Sequence, residues 1–211
     1  MSPERDAAAI GLTVRDIART HPEPSRALVE DGVVDAIEEL AAMRGVQQDP
    51  IWHPEGDVLT HCLIAADLAA SDSARDGIAG ERRELLVLAA LLHDVGKPQT
   101  TTRNADGRII SHGHADAGAA IVRGLGERLV WPEPLTGALV ALVDAHMATA
   151  SVKGTPTRRA VRRLSGRLEA AGTGLDDWAR VVRADGSARG SAAHGDAAEP
   201  WLRVAAELDQ R

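Results

Sequence analysis

Five polar side chains, His61, His93, Asp94, His146 and Asp185, fall on core-facing sides of helical stretches or at the end of the most apolar one. A charge placed there needs a partner or a metal ion. Imidazole and carboxylate offered together suit Mn, Fe, Co, Ni or Zn better than calcium, and the lack of thiolate ligands fits a catalytic centre. One His on an apolar face is ordinarily a satisfied core residue, but several at once point to ligation. Of the eight histidines, His21, His53 and His194 read as loop or surface residues. The other five, His61, His93, His112, His114 and His146, lie in motif-bearing segments. The bland alternative is a helical protein whose buried polar residues satisfy one another, and its melting temperature would not respond to divalent ions.

Helices must position these groups. Pro24 and Ser25 open one or two helices that run to about Arg44 and end near Gly45. Trp52 to Asp57 is a loop ending in an N-cap candidate, after which Val58, His61, Cys62, Ala65 and Ala69 share one helical face. Ser71 to Gly80 reads as a linker. Glu81 to Asp94 is apolar nearly all round, the mark of a central helix, with Gly96 as a stop. Pro98 to Ser111 is a polar loop or small hairpin turning at Asp106-Gly107. A helix follows from about His114 to Leu129, and Pro132 and Pro134 open the next, whose stripe of Leu135, Leu139, Leu142, Val143 and His146 faces inward. Asp144 lies about 200° from Leu142 at roughly 100° per residue and looks outward. Thr155-Pro156 caps a basic helix through Glu169, the stripe Leu175, Trp178, Val182 and Asp185 belongs to a helix stopped by Gly186, and Trp201 to Leu208 marks a C-terminal helix.

The composition agrees with that reading. The 211 residues are the size of one domain or one domain with a small appendage. With four Trp and no Phe or Tyr, the interior is built from Ala, Leu, Val and Ile, and the excess of Ala over strand formers predicts an all-α fold. Lys plus Arg number 24 against 31 Asp plus Glu, so wrapping of a DNA or RNA tract is not expected, although a short end can still bind locally. Cys62 is the single cysteine, which excludes an intrachain disulfide and a Cys-based zinc cluster. The N-terminus has no uninterrupted apolar stretch, so no secretory signal and no membrane span is expected, and the protein reads as cytoplasmic.

The run Leu91-Leu92-His93-Asp94-Val95-Gly96-Lys97 places a metal-binding pair at the end of an apolar helix, followed by Gly and one of only two lysines in the chain. It resembles the HD metal-dependent phosphohydrolase superfamily, in which His, His-Asp and a distant Asp hold a metal. More widely, Trp52-His53-Pro54-Glu55-Gly56-Asp57 with His61, then Leu92 to Pro98, then His112-Gly113-His114 with Gly118-Ala119, are similar to the HD domain of bacterial tRNA nucleotidyltransferases, the CCA-adding enzymes. The resemblance implies an all-α HD-domain helical bundle over residues 51–211 with a short helical extension over 1–50. No Gly-Gly loop with paired catalytic Asp residues occurs upstream, so CCA addition is not implied.

By that resemblance His61, His93, Asp94 and Asp185 match the ligands of one divalent ion, Mn, Co, Ni, Fe or Mg, with Asp94 able to bridge to a second. Asp185 is preferred to Asp144 because Arg183-Ala184-Asp185-Gly186 resembles the family's terminal Ala-Asp segment. His114 and His146 stand where dinuclear relatives supply second-ion ligands; with a single ion, the resemblance instead leaves His112, His114 and His146 as phosphate donors or a proton source. Lys97 follows the metal pair closely enough to reach a phosphoryl oxygen, Asp94 would orient the nucleophile, His112 could protonate a leaving alkoxide, and Arg103 and Arg108 could clamp a phosphate. The expected activity is metal-assisted hydrolysis of a phosphate ester on a nucleotide or RNA 3′ end, with 2′,3′-cyclic phosphates and 2′-phosphates favoured. The alternative is a non-catalytic RNA-end binding or regulatory module. The arginine-rich helix from Arg158 to Arg167 is most simply a solvated face, with docking of an RNA end as the other reading.

Overall fold

Ala and Leu at helical spacing leave little to form strands, and the computed structural model, which describes residues 3–152, 154–193 and 195–209, is all-α apart from one small ribbon. His194 lies outside the described residues. The helices are α1 (Pro3–Thr20), α2 (Pro24–Glu30), α3 (Val33–Ala36), α4 (Glu38–Ala41), α5 (Val58–Arg75), α6 (Gly80–Leu92) and α7 (Lys97–Thr100). After strands β1 (Thr102–Arg103) and β2 (Ile109–Ile110) come α8 (His114–Arg128), α9 (Glu133–Ala145), α10 (Arg158–Ala170), α11 (Leu175–Ala188) and α12 (Glu199–Asp209). β1 and β2 pair antiparallel, Thr102 opposite Ile110, around a turn in which Gly107 has φ +78°.

The bundle is organised around α6, in which every residue from Arg83 to Leu92 is buried. A helix apolar on all sides must be covered on all sides, and α1, α5, α9 and α11 pack around it. α1 is fixed to it electrostatically: Arg15 Nε donates to Glu84 Oε1 at 2.5 Å, Arg19 pairs with the other carboxylate oxygen, and Arg83 donates to the backbone carbonyls of Ala18 and His21 at the end of α1. The Arg83 contacts satisfy carbonyls that a helix C-terminus leaves without partners.

Several element boundaries differ from the sequence expectation. The linker begins after Arg75, because α5 continues with Ser73 buried and its hydroxyl donating to the Ala69 carbonyl. The segment from Pro24 to Arg44 forms three short helices, since Gly32 is left-handed and Ile37 extended. Thr157, whose side chain accepts from the Ala160 N–H, caps α10 in place of Thr155-Pro156. Helix α11 runs through Gly186 to Ala188.

Gly96 acts through close approach, its φ of −81° being open to any residue. A Cβ there would stand 2.1 Å from the His114 carbonyl oxygen and 2.6 Å from the Gly118 nitrogen. The chain following His93-Asp94 is thereby pressed against the start of α8. Gly96→Ala is expected to cost about 1–3 kcal/mol by overpacking. At Gly186 a Cβ meets nothing within 4 Å, so Gly186→Ala should add roughly 0.5–1 kcal/mol by helix propensity. Urea denaturation of the two variants beside wild type checks both signs.

Candidate metal centre

The side chains separated in sequence meet at one carboxylate. Asp94, just beyond α6, directs Oδ2 toward His93 Nε2 at 3.2 Å and His61 Nε2 at 3.8 Å, and Oδ1 toward His114 Nε2 at 3.2 Å and His146 Nε2 at 3.7 Å. Asp185, from α11, brings Oδ1 to 3.2 Å from His61 Nε2 and 3.8 Å from His93 Nε2. All six residues are buried. His61 is carried by α5, His93 follows α6 directly, His114 opens α8 and His146 ends the apolar stripe of α9. His61, His93 and Asp94 offer ligand atoms all within 4.8 Å of one another, as do Asp94, His114 and His146.

The ring nitrogens turned away from the cluster are held in place. Nδ1 of His93 lies 2.8 Å from the Ala90 carbonyl, that of His114 2.7 Å from Ser111 O, and that of His146 2.6 Å from Val143 O. A carbonyl only accepts, so each Nδ1 carries a proton and each Nε2 faces inward. Two pairs of Nε2 atoms then confront one another, His61 with His93 at 3.2 Å and His114 with His146 at 3.0 Å. Neutral rings of this tautomer would oppose lone pair to lone pair. A shared cation resolves that clash, since bonds of about 2.1 Å at ordinary angles put ligand atoms roughly 3–3.5 Å apart. The residues present fit one or two divalent ions.

Electrostatics agree with this fit. Burial pushes the Asp94 carboxyl up, but the Lys97 ammonium, His93 and His114 outweigh it and hold it well below the usual range. For Asp185 burial is likewise overcome, by His61, His93 and Arg189. Burial together with the neighbouring His93 lowers His146 to about 4, leaving it a neutral donor. Burial also pulls His61 down, but bonds to Asp185 and Glu55 raise it to about 9, so an ion that takes its Nε2 has to displace the proton shared with Asp185.

Lys97 is buried, donating to Asp94 Oδ2 at 2.6 Å and to Gln48 Oε1 at 2.7 Å. His112 is exposed at the mouth of a cavity of about 440 Å³ that Asp94, Lys97, His114, His146 and Asp185 also line. Arg103 and Arg108 are not brought to the cluster. Arg103 donates to Gln47 Oε1 and the Gly107 carbonyl, and Arg108 to Asp49 Oδ2 at 2.9 and 3.1 Å. Asp144 is directed away and pairs with Arg167.

Four contributors escaped the sequence reading. His53 lies in a loop, as expected, but is largely buried, with its Nδ1 2.9 Å from Glu55 Oε1. Glu55 in turn lies 2.6 Å from Nδ1 of His61, and its Oε2 is buried without a hydrogen-bond partner. Gln48 holds Lys97, and Arg189 donates to Asp185 at 2.9 Å. The one available signal was the run His53-Pro54-Glu55-Gly56, which the family resemblance includes without assigning a role. A carboxylate on the distal nitrogen of a ligating His sets ring orientation and basicity, and such partners are worth about 10–100-fold in metal affinity. Glu55→Gln is therefore expected to weaken divalent-ion affinity by about that factor, and isothermal titration with Mn²⁺ measures it.

Residues 58–180 match the family described as HD domain. This chain belongs to the HD domain family. HD domains form a superfamily of metal-dependent phosphohydrolases that bind divalent metals, and the two buried His/Asp groups of this one are of the required kind. The chain is 35% identical over 150 residues to a multifunctional CCA protein of Halorhodospira halophila, covering 68% of this chain and 34% of that protein. It is 32% identical over 123 residues to a multifunctional CCA protein of Hahella chejuensis, 57% of this chain and 26% of the relative. An A-adding tRNA nucleotidyltransferase of Deinococcus radiodurans is 42% identical over 80 residues, 37% and 18% of the two chains. The chain thus spans about a third or less of the length of these curated relatives. No helix among the described residues is long and apolar enough to cross a membrane.

Proposed function

We propose that this HD domain hydrolyses phosphate esters on nucleotides or RNA 3′ ends, with 2′,3′-cyclic phosphates and 2′-phosphates as favoured substrates. The observation that carries the reading is the single Asp94 carboxylate facing two imidazole pairs, beside a buried lysine, on the wall of a nucleotide-sized cavity. His61, His93, Asp94 and Asp185 would hold one divalent ion, and Asp94, His114 and His146 a second. A bound ion of this kind supplies a water whose pKa falls toward neutrality and a charge that offsets phosphoryl oxygens.

The chain's own residues do the rest. Asp94 orients the attacking group, and Lys97, held between Asp94 and Gln48, presents its remaining N–H to a phosphoryl oxygen, where preorganised charge contributes most. His112 at the cavity mouth reaches a leaving alkoxide and can protonate it. The names of the relatives, CCA protein and tRNA nucleotidyltransferase, support an RNA 3′ end as the natural phosphate carrier. Residues 1–50 would serve as a helical extension of the catalytic unit over 51–211.

The test is ring opening of 2′,3′-cyclic nucleotides to the nucleoside monophosphate, and phosphate release from nucleoside 2′-phosphates, by protein of measured metal content, in Mn, Co, Ni, Fe or Mg. Turnover that follows ion content is the expected result. A metal-free, inactive protein that still binds tRNA would favour a non-catalytic RNA-end binding module.

A further inference from the structure

The cavity over Asp94 has a mixed lining. Carboxylates, imidazoles and Lys97 line it, and so do the apolar side chains of Trp52, Ile109, Ile110, Met147 and Ala150. Three of the four tryptophans, Trp131, Trp178 and Trp201, are buried, whereas Trp52 is 42% exposed. An exposed apolar residue alone needs no explanation. This one shares a cavity with the ion-ligand cluster and with two adjacent isoleucines of β2.

Trp52 and the two isoleucines are tied together. Trp52 belongs to the loop before α5, where its N–H donates to the Asp49 carbonyl at 3.0 Å. The Asp49 carboxylate is gripped by Arg108, and Arg103 reaches Gln47, so both hairpin arginines staple the Trp52 loop to the strands that carry Ile109 and Ile110. Arg103 and Arg108, expected from sequence to clamp phosphate, thus fix the spacing of an apolar slot.

We propose that Trp52 with Ile109 and Ile110 forms a stacking shelf for the nucleobase of a nucleoside phosphate, a subsite resting on the reading of the cluster as a phosphohydrolase centre. A flat ring with apolar faces suits those side chains while its phosphate lies at the charged ones. The cavity volume of about 440 Å³ is of the size that admits a nucleotide. Asp49 is engaged with Arg108, Gln48 with Lys97 and Gly56, and Ser111 with Thr101. Stacking on the shelf grows with ring area, so purines bind more tightly than pyrimidines.

The test compares 2′,3′-cyclic AMP with glycerol 1,2-cyclic phosphate, which carries the same five-membered phosphate ring and no base, on the ion-loaded full chain. Trp52→Ala should raise KM for the nucleotide by about tenfold, leave kcat within about twofold, and leave both constants for the base-free ester unchanged. Trp52→Phe should restore most of the nucleotide KM. In parallel, 5′-AMP should quench tryptophan fluorescence of the wild type, while ribose 5-phosphate should not, and the quench should vanish in Trp52→Ala. Equal effects on both esters, or no effect on either, would overturn the shelf while leaving the hydrolase reading standing. If wild type turns over neither ester nor a nucleoside 2′-phosphate, the hydrolase reading fails and the fluorescence titration alone decides the shelf: quenching by 5′-AMP supports it, and no quenching rejects it.

Discussion

Asp94→Asn is expected to lower metal-stimulated phosphate release by on the order of 10³-fold or more with the fold retained. Removing a single charge-stabilising donor at a hydrolytic centre costs roughly 10²–10³, and Asp94 serves two imidazole pairs and Lys97 at once. Asn is close in shape and keeps an acceptor for the Lys97 ammonium. Unchanged far-ultraviolet circular dichroism beside lost turnover and lost ion content is the predicted pattern. His114→Ala separates the two clusters, because it leaves His61, His93, Asp94 and Asp185 intact. Elemental analysis should find one ion fewer per chain in a two-ion protein. Normal turnover in Asp94→Asn would remove the site assignment altogether.

Removal of divalent ions should lower the melting temperature by about 8–16 °C relative to protein held at an ion concentration 1,000 times its Kd. Binding to the native state alone stabilises by about 4 kcal/mol under that condition, and for a chain of this size each kcal/mol moves the midpoint by roughly 2–4 °C. The clash of the inward-facing Nε2 atoms of His114 and His146, at 3.0 Å, is the structural reason for a large effect. Differential scanning fluorimetry with Mn²⁺, Co²⁺ and Ni²⁺, against a chelator, measures it. A midpoint insensitive to all of them would mean that the buried His and Asp residues satisfy one another.

Much of the site was legible because periodicity carries burial. His61 shares a face with Val58, Cys62 and Ala65, and His146 closes the stripe of Leu135, Leu139 and Leu142, so their inward direction followed from spacing alone. The same reasoning turned Asp144 outward, where it pairs with Arg167. Loops have no such period. Glu55, His53 and Gln48 act from the irregular segment before α5, and their direction is set by tertiary contacts with His61 and Lys97 that no local pattern encodes. Helix ends failed for a related reason: Ser73 and Gly186 carry poor helix propensity, yet packing extends α5 and α11 across them. Gly96 was visible as a glycine, but its need to touch the His114 backbone was visible only in three dimensions.

The pairing of Arg15 and Arg19 with Glu84 bears on how this protein can be shortened. A trimmed version beginning after Thr20 would uncover Glu84 and the part of the bundle wall that the first helix covers with Val14, Ile17 and Ala18, exposing apolar surface to water. That wall belongs to the same rod that ends in His93 and Asp94, so loosening its far end would travel to the chemistry. Any minimal version made for crystallisation or fusion therefore has to keep the first helix, however remote it is from the cavity.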